Sequence, residues 1–440
     1  MTDKPVTLMK RVLLISYNGV LEPIVQSQVL PYVRGLSRSG YQFILLSFEK
    51  WKGPHHQMRR QIAAMQATLQ HQGIRWVALR YHKRPSLPAT LWDIWCGTWA
   101  ALWLVWRHRV CLIHARASIA GIMAIVPVRL LRCRLLFDIR GFNAEEYVDG
   151  SGWSRHSARY RVLKWLEGYL MRVATQNVVL TEAARRAVQE ERYAAGTAGV
   201  PVSVIPTCVD TDRFRPDAAR ASRMAGELPL ASLTAIYLGS LGTWYLVDEM
   251  VAFLATLRTY QPSLRLLCIT QSDAGIMKRA WARQGLAPAA LTTLRTSHDE
   301  VPAHLSTGHF GLCFIKPSLS KQSSYPTKIG EYLACGLPVV LNASQGDCDR
   351  FVEQQGVGVV VERLDPEGYR QVCGRLLKLL EDPRAIAGRC REAAQTYLSL
   401  SVGLARYRQV YEQCVGDASP ASVSRAPVLA VPITARAIDS

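Results

Sequence analysis

Residues Ser323–Leu341, SSYPTKIGEYLACGLPVVL, hold a complete helix-to-strand unit in one short stretch. Pro326 suits a helix start, Gly336 suits the left-handed residue just past a helix end, and the apolar run Pro338–Leu341 reads as a buried strand. The stretch also carries chemistry. The free backbone N–H groups of the first turn and the hydroxyl of Thr327 can meet a phosphate, and Lys328 adds positive charge beside them. Glu331, one turn further on, is placed to accept hydrogen bonds from ribose hydroxyls.

Short apolar, β-rich runs alternate with helical-period segments on both sides of this unit. That is the pattern of βα units around parallel sheets, so the fold class is α/β. Strands are expected at 11–17, 42–48, 111–115, 134–138, 176–180 and 202–205, with a helix over 160–173. A second series follows at 234–238, 264–269, 291–294, 311–315, 338–341 and 357–361. A polar, Arg- and Asp-rich stretch separates the two series, and 440 residues are ample for two cores. The expected organisation is an N-terminal domain over 1–210, a linker over 211–230, a C-terminal domain over 231–395 and a C-terminal helix over 396–415. The tail over 416–440, rich in Ala, Ser, Pro and Val without a period, is expected to be disordered.

Hydrophobic residues make up 49% and charged residues 20% of the chain, ordinary for a globular protein. The net charge of +19 implies attraction to something anionic: nucleic acid, an anionic membrane surface or a phosphorylated small molecule. The basic residues are scattered and no nucleic-acid reading module is present, so nucleic acid is not expected as a partner. The eleven cysteines lie apart with no CxxC pair, which argues against a zinc site or a disulfide framework and for free thiols in a reducing cytosol. The N-terminal MTDKPVTLMKRVLLISYNG reads as a first strand rather than a signal peptide, so a cytoplasmic location is expected.

One segment complicates that picture. Leu87–Trp106, LPATLWDIWCGTWAALWLVW, is about long enough to span a bilayer and repeats tryptophan at helical spacing, at Trp92, Trp95, Trp99 and Trp103. Two readings stand. Asp93 and Gly97 interrupt it and favour a helix buried or half-buried against a sheet, whereas Arg107, His108 and Arg109 directly after it suit an interfacial helix on an anionic leaflet. The second reading gives peripheral membrane contact through 87–109.

With these residues in view, the sequence resembles the large family-4 group of retaining glycosyltransferases with the GT-B fold. Glu331, Ala334, Gly336, Pro338, Val339 and Val340 look like the second half of that family's hallmark, a Glu, seven residues, a second Glu and a small-residue, Gly, Pro-Val-Val run. The resemblance extends to SYNGVLEPIVQSQVLPYVRGLSRSG, FDIRGFNAEEY, VIPTCVDTDRFRPD and YLGSLGTWYLVDEM. It implies two Rossmann-like domains facing each other across a cleft, an acceptor-binding N-terminal half, and a nucleotide-sugar donor held by the C-terminal half. The implied reaction moves a hexosyl group to a hydroxyl of a saccharide or lipid-linked saccharide, with retention, without metal or other cofactor, in polysaccharide or glycoconjugate synthesis. Two departures stand out. Ser323 replaces the first Glu, and no Arg-Lys pair follows the first strand of the second domain, so Lys328, and after it Lys316 and Lys321, must meet the donor phosphates.

Open α/β sheets bind ligands beyond the carboxyl ends of their strands. On that rule Gly239 and Gly242 allow backbone to approach the donor, and Asn18 and Gly19 line the acceptor side. His114 and Arg116 end another strand and share the catalytic assignment with Lys328, since the family places a histidine near the reacting sugar; a structural strand-capping histidine fits as well. Arg140 and Glu145, in a cluster with Asp138 and Glu146, either hold acceptor hydroxyls or pair with one another. Asp210-Thr211-Asp212 mimics a metal-binding Asp-x-Asp, but its setting in VIPTCVDTDRFRPD makes it a turn and helix start, so no metal is expected. The absence of GxGxxG argues against an NAD enzyme. Alternatives to transfer are a nucleotide-sugar-binding scaffold without activity and a nucleotide-sugar epimerase on the same fold.

Overall fold

The computed structural model describes residues 10–51, 54–82, 84–194, 199–216, 233–343 and 346–416. In the N-terminal half, near-continuous apolar strands have no polar face for water, so they pair in parallel under helices on both sides. Lys10–Ser16 (β1), Tyr41–Glu49 (β2), Arg75–Arg80 (β3), Leu112–Arg116 (β4), Arg134–Asp138 (β5), Gln176–Val179 (β6) and Val202–Val204 (β7) form one parallel sheet in the order β3-β2-β1-β4-β5-β6-β7. Its helices are Pro23–Gln28 (α1), Leu30–Ser37 (α2), His55–His71 (α3), Ser86–His108 (α4), Ala117–Leu131 (α5), Asn143–Ser151 (α6), Ala158–Val173 (α7) and Glu182–Ala194 (α8). In the C-terminal half Thr234–Leu238 (β8), Arg265–Ile269 (β9), Leu291–Leu294 (β10), Phe310–Cys313 (β11), Val339–Asn342 (β12) and Gly358–Val361 (β13) pair as β10-β9-β8-β11-β12-β13.

The chain is thus α/β with two Rossmann-like domains. Strand order reverses between β1 and β4 and again between β8 and β11, and at such a point neighbouring loops leave in opposite directions and open a crevice. Register then decides which side chains reach it. Arg116 ends β4 opposite Ser16 and Asp138, two residues beyond His114, which lies between Leu14 and Leu136. Most of the expected linker, 217–230, and the tail from 417 lie outside the described residues. β3, RWVALR, has no counterpart in the sequence reading, although Trp76–Leu79 is an unbroken apolar run; it is a half-exposed edge strand with arginine at both ends.

The tryptophan-rich helix is half-buried against the N-terminal domain, the first of the two readings of this segment. The face of α4 packed on the domain carries Ala89, Asp93, Gly97, Ala101, Leu104 and Val105, while the tryptophans point outward and are more than half exposed. Small residues bring the α4 backbone close: a Cβ at Gly97 would lie 2.5 Å from Met123 Sδ. Indole rings at those positions would hold the helix off the sheet. Among the described residues no helix is long and apolar enough to cross a membrane.

The last helix, Leu400–Val415, leaves the C-terminal domain and packs on the N-terminal one, with Tyr407, Val410, Tyr411 and Cys414 buried in the cluster that covers one face of β1, β2 and β4. The Tyr411 hydroxyl sits 2.7 Å from His114 Nδ1, and Arg134 Nη1 donates to the Cys414 carbonyl at 2.6 Å. Tyr411→Phe keeps the ring and strands a buried imidazole nitrogen, which costs about 1–3 kcal/mol. Urea unfolding should show that loss, and a variant as stable as wild type would mean the bond contributes nothing.

Candidate active site

At the end of β8 the backbone turns through Gly239 (φ +129°) and Gly242 (φ +96°), a left-handed path that side chains resist. Gly239 is also required by space, because a Cβ there would lie 2.9 Å from Lys328 Nζ. Lys328 belongs to the helix Thr327–Ala334, whose N-cap is Pro326 and whose end is closed by Gly336 (φ +80°), with Gly336 N donating to Leu333 O and Leu337 N to Tyr332 O. Tyr332 fixes this helix against the sheet: its hydroxyl accepts from Leu238 N at 2.7 Å, and its ring lies where a Cβ on Gly311 would sit. Thr327 opens the first turn of this helix, next to Lys328.

Lys328 is the unusual member of this group. Only 4% of it is exposed, and among the described residues its ammonium has no hydrogen-bond partner. Two rings flank it, with Nζ 4.4 Å from the centroid of Tyr237 and 4.0 Å from that of Tyr245. Such contacts return about 2 kcal/mol when desolvated, less than the several kcal/mol it costs to bury an ion. The described residues thus leave this buried ammonium without an acceptor.

Glu331, one turn on, is held by residues the sequence reading missed. Its Oε1 lies 3.1 Å from His298 Nε2; His298 Nδ1 lies 2.7 Å from Arg213 Nη2, and Arg213 pairs with Asp299. Phe214 packs against the His298 ring. His298 sits in the loop after β10 and Arg213 in the crossing between domains, so only the fold brings them to Glu331. The nearby Asp210 serves the expected turn, its Oδ1 accepting from the N–H groups of Asp212 and Arg213. Among the described residues no three His, Cys, Asp or Glu side chains gather as a metal site.

The N-terminal candidates divide into groups. Asp138 is fully buried, and burial alone would raise its carboxyl; Arg140, His114 and Arg116 outweigh that and hold it well below the usual carboxylate range. Arg116 Nη1 donates to Asp138 Oδ2 at 3.2 Å, Arg140 pairs with Oδ1 at 3.5 Å, and His114 Nε2 lies 3.4 Å from Oδ2. Burial and then Arg140's like charge bring Arg116 down to about 10. His114 faces the C-terminal helix, in a pocket with room for about 10 Å³, about one water. Glu145 instead turns toward α7, taking Tyr160 Oη at 2.7 Å and pairing with Arg155 and Lys164. Asn18 is exposed at the end of β1. Gly19 lies under Glu49, whose carboxylate accepts from Val20 and Leu21 N–H. The structure therefore gathers Gly239, Gly242, Pro326, Thr327, Lys328 and Glu331 at one place, Arg116 and Arg140 at another, and leaves Glu145 outside both.

Residues 25–213 match the family model described as Glycosyltransferase Family 4, and residues 284–366 match that of the Glucosyltransferase 3-like C-terminal domain. The chain is a family-4-like glycosyltransferase of the GT-B fold. No curated protein matches the sequence. Among solved structures, sucrose-phosphate synthase from Thermosynechococcus elongatus shares 16% identity and a TM-score of 0.69 over 92% of this chain and 98% of the other. A glycosyltransferase from Rickettsia africae shares 12% and 0.68 over 93% and 100%, and Anabaena HepE in complex with UDP-glucose shares 14% and 0.65 over 91% and 99%. At these identities the likeness is one of fold.

In this glycosyltransferase Ser323, at the position of the hallmark's first Glu, is an interface residue. It is 2% exposed; its Oγ donates to Ser320 O at 2.7 Å and accepts from Phe142 N of the other domain at 3.3 Å. Around it Lys321 pairs with Glu146 at 3.0 Å, Ser320 N donates to Asp149 at 3.2 Å, and Thr181 Oγ1 donates to Gln322 O at 2.9 Å. Lys321 is thereby committed to the interface and Lys316 is exposed, which leaves Lys328 as the lysine buried at the glycine loop. Ser323→Glu would force a longer, charged side chain into that contact, and we expect a loss of about 1–3 kcal/mol in urea unfolding; unchanged stability would show that the interface opens at no cost. Asp138 gives a second test. Because its folded-state pKa is depressed, its contribution is complete above the unfolded value of about 3.9 and lost as pH falls. The stability gap between wild type and Asp138→Asn should hold from about pH 8 to about pH 5 and narrow below about pH 4. A gap that ignores pH would contradict the pairing.

Proposed function

We propose that the enzyme transfers a hexosyl group from a nucleoside diphosphate sugar to a hydroxyl of a saccharide or lipid-linked saccharide, with retention and without a metal, in polysaccharide or glycoconjugate synthesis at the cytoplasmic side of a membrane. The observation that carries this reading is the unpaired, buried Lys328 ammonium beside the Gly239 turn and the first turn of the Thr327–Ala334 helix. A diphosphate supplies what that site lacks, and the helix N-terminus, the Thr327 hydroxyl and Lys328 supply what a departing diphosphate needs. Glu331, fixed by His298, accepts from the ribose hydroxyls. The solved complexes of Anabaena HepE with UDP and with UDP-glucose make UDP-sugars the first donors to try.

In the reaction the bond from the anomeric carbon to the phosphate oxygen breaks and the diphosphate leaves with the electron pair. The acceptor oxygen bonds to the anomeric carbon on the same face, and its proton passes to the departing phosphate oxygen. Lys328 stabilises the charge that develops there. Arg116 and Arg140, fixed by Asp138, form a second cationic wall on the N-terminal side, with His114 as a positioning residue between Asp138 and Tyr411. The interface burial of Ser323 keeps a second reading in play, a nucleotide-sugar-binding protein without turnover.

Calorimetric titration of UDP, GDP and ADP, with and without Mg²⁺, tests this. One diphosphate should bind without the metal, and Lys328→Met should weaken it roughly 10- to 100-fold, the loss of a charge-assisted contact. Glu331→Ala should weaken the same nucleotide by about tenfold. Absence of any binding, or binding that ignores both substitutions, would overturn the donor site; binding without turnover of any sugar would select the second reading.

A further inference from the structure

Helices α4, α5 and α7 cover one side of the N-terminal sheet, packed side by side over a shared core. Their outer surface is apolar to an extent unusual for a monomer. Trp92, Trp95, Trp99, Trp103 and Trp106 of α4 are each 52–67% exposed, and Leu130 on α5 and Trp165 on α7 extend the surface. Trp92 stacks on Trp95 at 5.2 Å, and Trp165 on Tyr169 at 5.7 Å, so the indoles form a sheath rather than isolated projections.

Charge on the three helices is one-sided. Their only carboxylates, Asp93 and Glu167, are buried, whereas they carry Arg107, Arg129, Arg159, Arg161, Lys164 and Arg172. At the C-terminal end of α4 this surface runs into a pocket of about 320 Å³ lined by Arg11, Gln42, Phe43, Arg75, Arg107 and His108, with no acidic group among the described residues. Arg11 Nη1 donates to His108 O at 3.0 Å, Arg75 Nη1 lies 3.1 Å from His108 Nε2, and Trp103 meets the His108 ring edge-on. Three guanidinium groups facing one space fit a phosphate, which takes two such forks at once. The pocket lies at the amino ends of β1 to β3, about 20 Å along β1 from the cleft. It is therefore separate from donor and acceptor sites.

We propose that the α4–α5–α7 face docks in the plane of an anionic bilayer and that the Arg11–Arg75–Arg107 pocket receives a lipid headgroup phosphate. Tryptophan favours the boundary between headgroups and acyl chains, and basic residues beside it are attracted to an anionic leaflet. A second copy is a poor occupant, because two such faces would bring cations against cations. The inference rests on the reading of the enzyme as one that works at a membrane, and it adds the docking surface and the chemistry of its anchor.

The full chain is sedimented with vesicles of phosphatidylcholine alone or with about one-third phosphatidylglycerol, at low and high salt. Wild type should bind the mixed vesicles more tightly, and less so in salt. Trp95→Ser/Trp99→Ser/Trp103→Ser should weaken binding at least tenfold, and Arg75→Ala/Arg107→Ala about 25-fold on anionic vesicles only, about fivefold for each arginine. All these side chains face water, so thermal unfolding of the variants should match wild type. Binding that ignores the tryptophans, or that is equal on both vesicles, overturns the proposal. So does calorimetric binding of inorganic phosphate through Arg75 and Arg107 by a protein that ignores vesicles, which makes the pocket a free-anion site. Titration of UDP on the same variants separates the two readings: vesicle docking without UDP binding leaves this inference standing and removes the donor site.

Discussion

Two segments of chain pass between the domains, and they pass side by side. Val209 N donates to Leu398 O and Leu400 N to Val209 O, both at 2.8 Å, so the outgoing and returning crossings form one short parallel ladder. Everything at the cleft depends on this pairing. The outgoing crossing continues into Arg213 and Phe214, which seat His298 against Glu331; the returning one continues into the helix whose Tyr407 and Tyr411 close over His114 and Asp138. A shift at the ladder would move a donor-side carboxylate and an N-terminal ion cluster together.

Two buried charges define the two sides, and their electrostatics differ in kind. Asp138 has two guanidinium partners and an imidazole within 3.5 Å, enough to keep it ionised against full burial. Lys328 has rings on two sides and a glycine turn beyond, with no acceptor. A folded chain tolerates the first arrangement because it is internally neutralised, whereas the second leaves the cost of burying the ion only partly offset by the two rings. The two buried charges therefore differ in kind: Asp138 is neutralised within the chain, and Lys328 is not.

The parallel sheets were legible because buried strands are short unbroken apolar runs, and Ser323–Leu341 announced its helix, cap and strand through Pro326, Gly336 and Val339–Leu341. β3 was missed although Trp76–Leu79 is itself an unbroken apolar run, because the run is short and closed by an arginine at each end. In α4 the helical period was evident but not which face packs; the stripe Ala89, Asp93, Gly97 and Ala101, at a spacing of four, is the signal for the packed face. Lys328, Thr327 and Glu331 could be found together because one short helix carries them. His298 and Arg213 come from separate loops, and no local pattern marks them. The burial of Ser323 is equally non-local, since it is made by Phe142 from the other domain.

The carboxylate that interrupts the tryptophan-rich helix, Asp93, has a structural role. It is fully buried; Oδ2 accepts from the Tyr17 hydroxyl and from His82 N, both at 3.0 Å, and Oδ1 lies 2.6 Å from His82 Nδ1. Tyr17 immediately precedes Asn18 and Gly19, at the carboxyl end of β1 where the N-terminal crevice opens. Burial and the neighbouring Asp93 charge both push the Tyr17 hydroxyl's pKa up, so it stays a donor and the link persists across the neutral range. One side of α4 therefore carries the tryptophans and the other side, through this single carboxylate, grips the loop beside the cleft. Whatever fixes the outer face of α4 therefore also fixes the position of the loop at the end of β1.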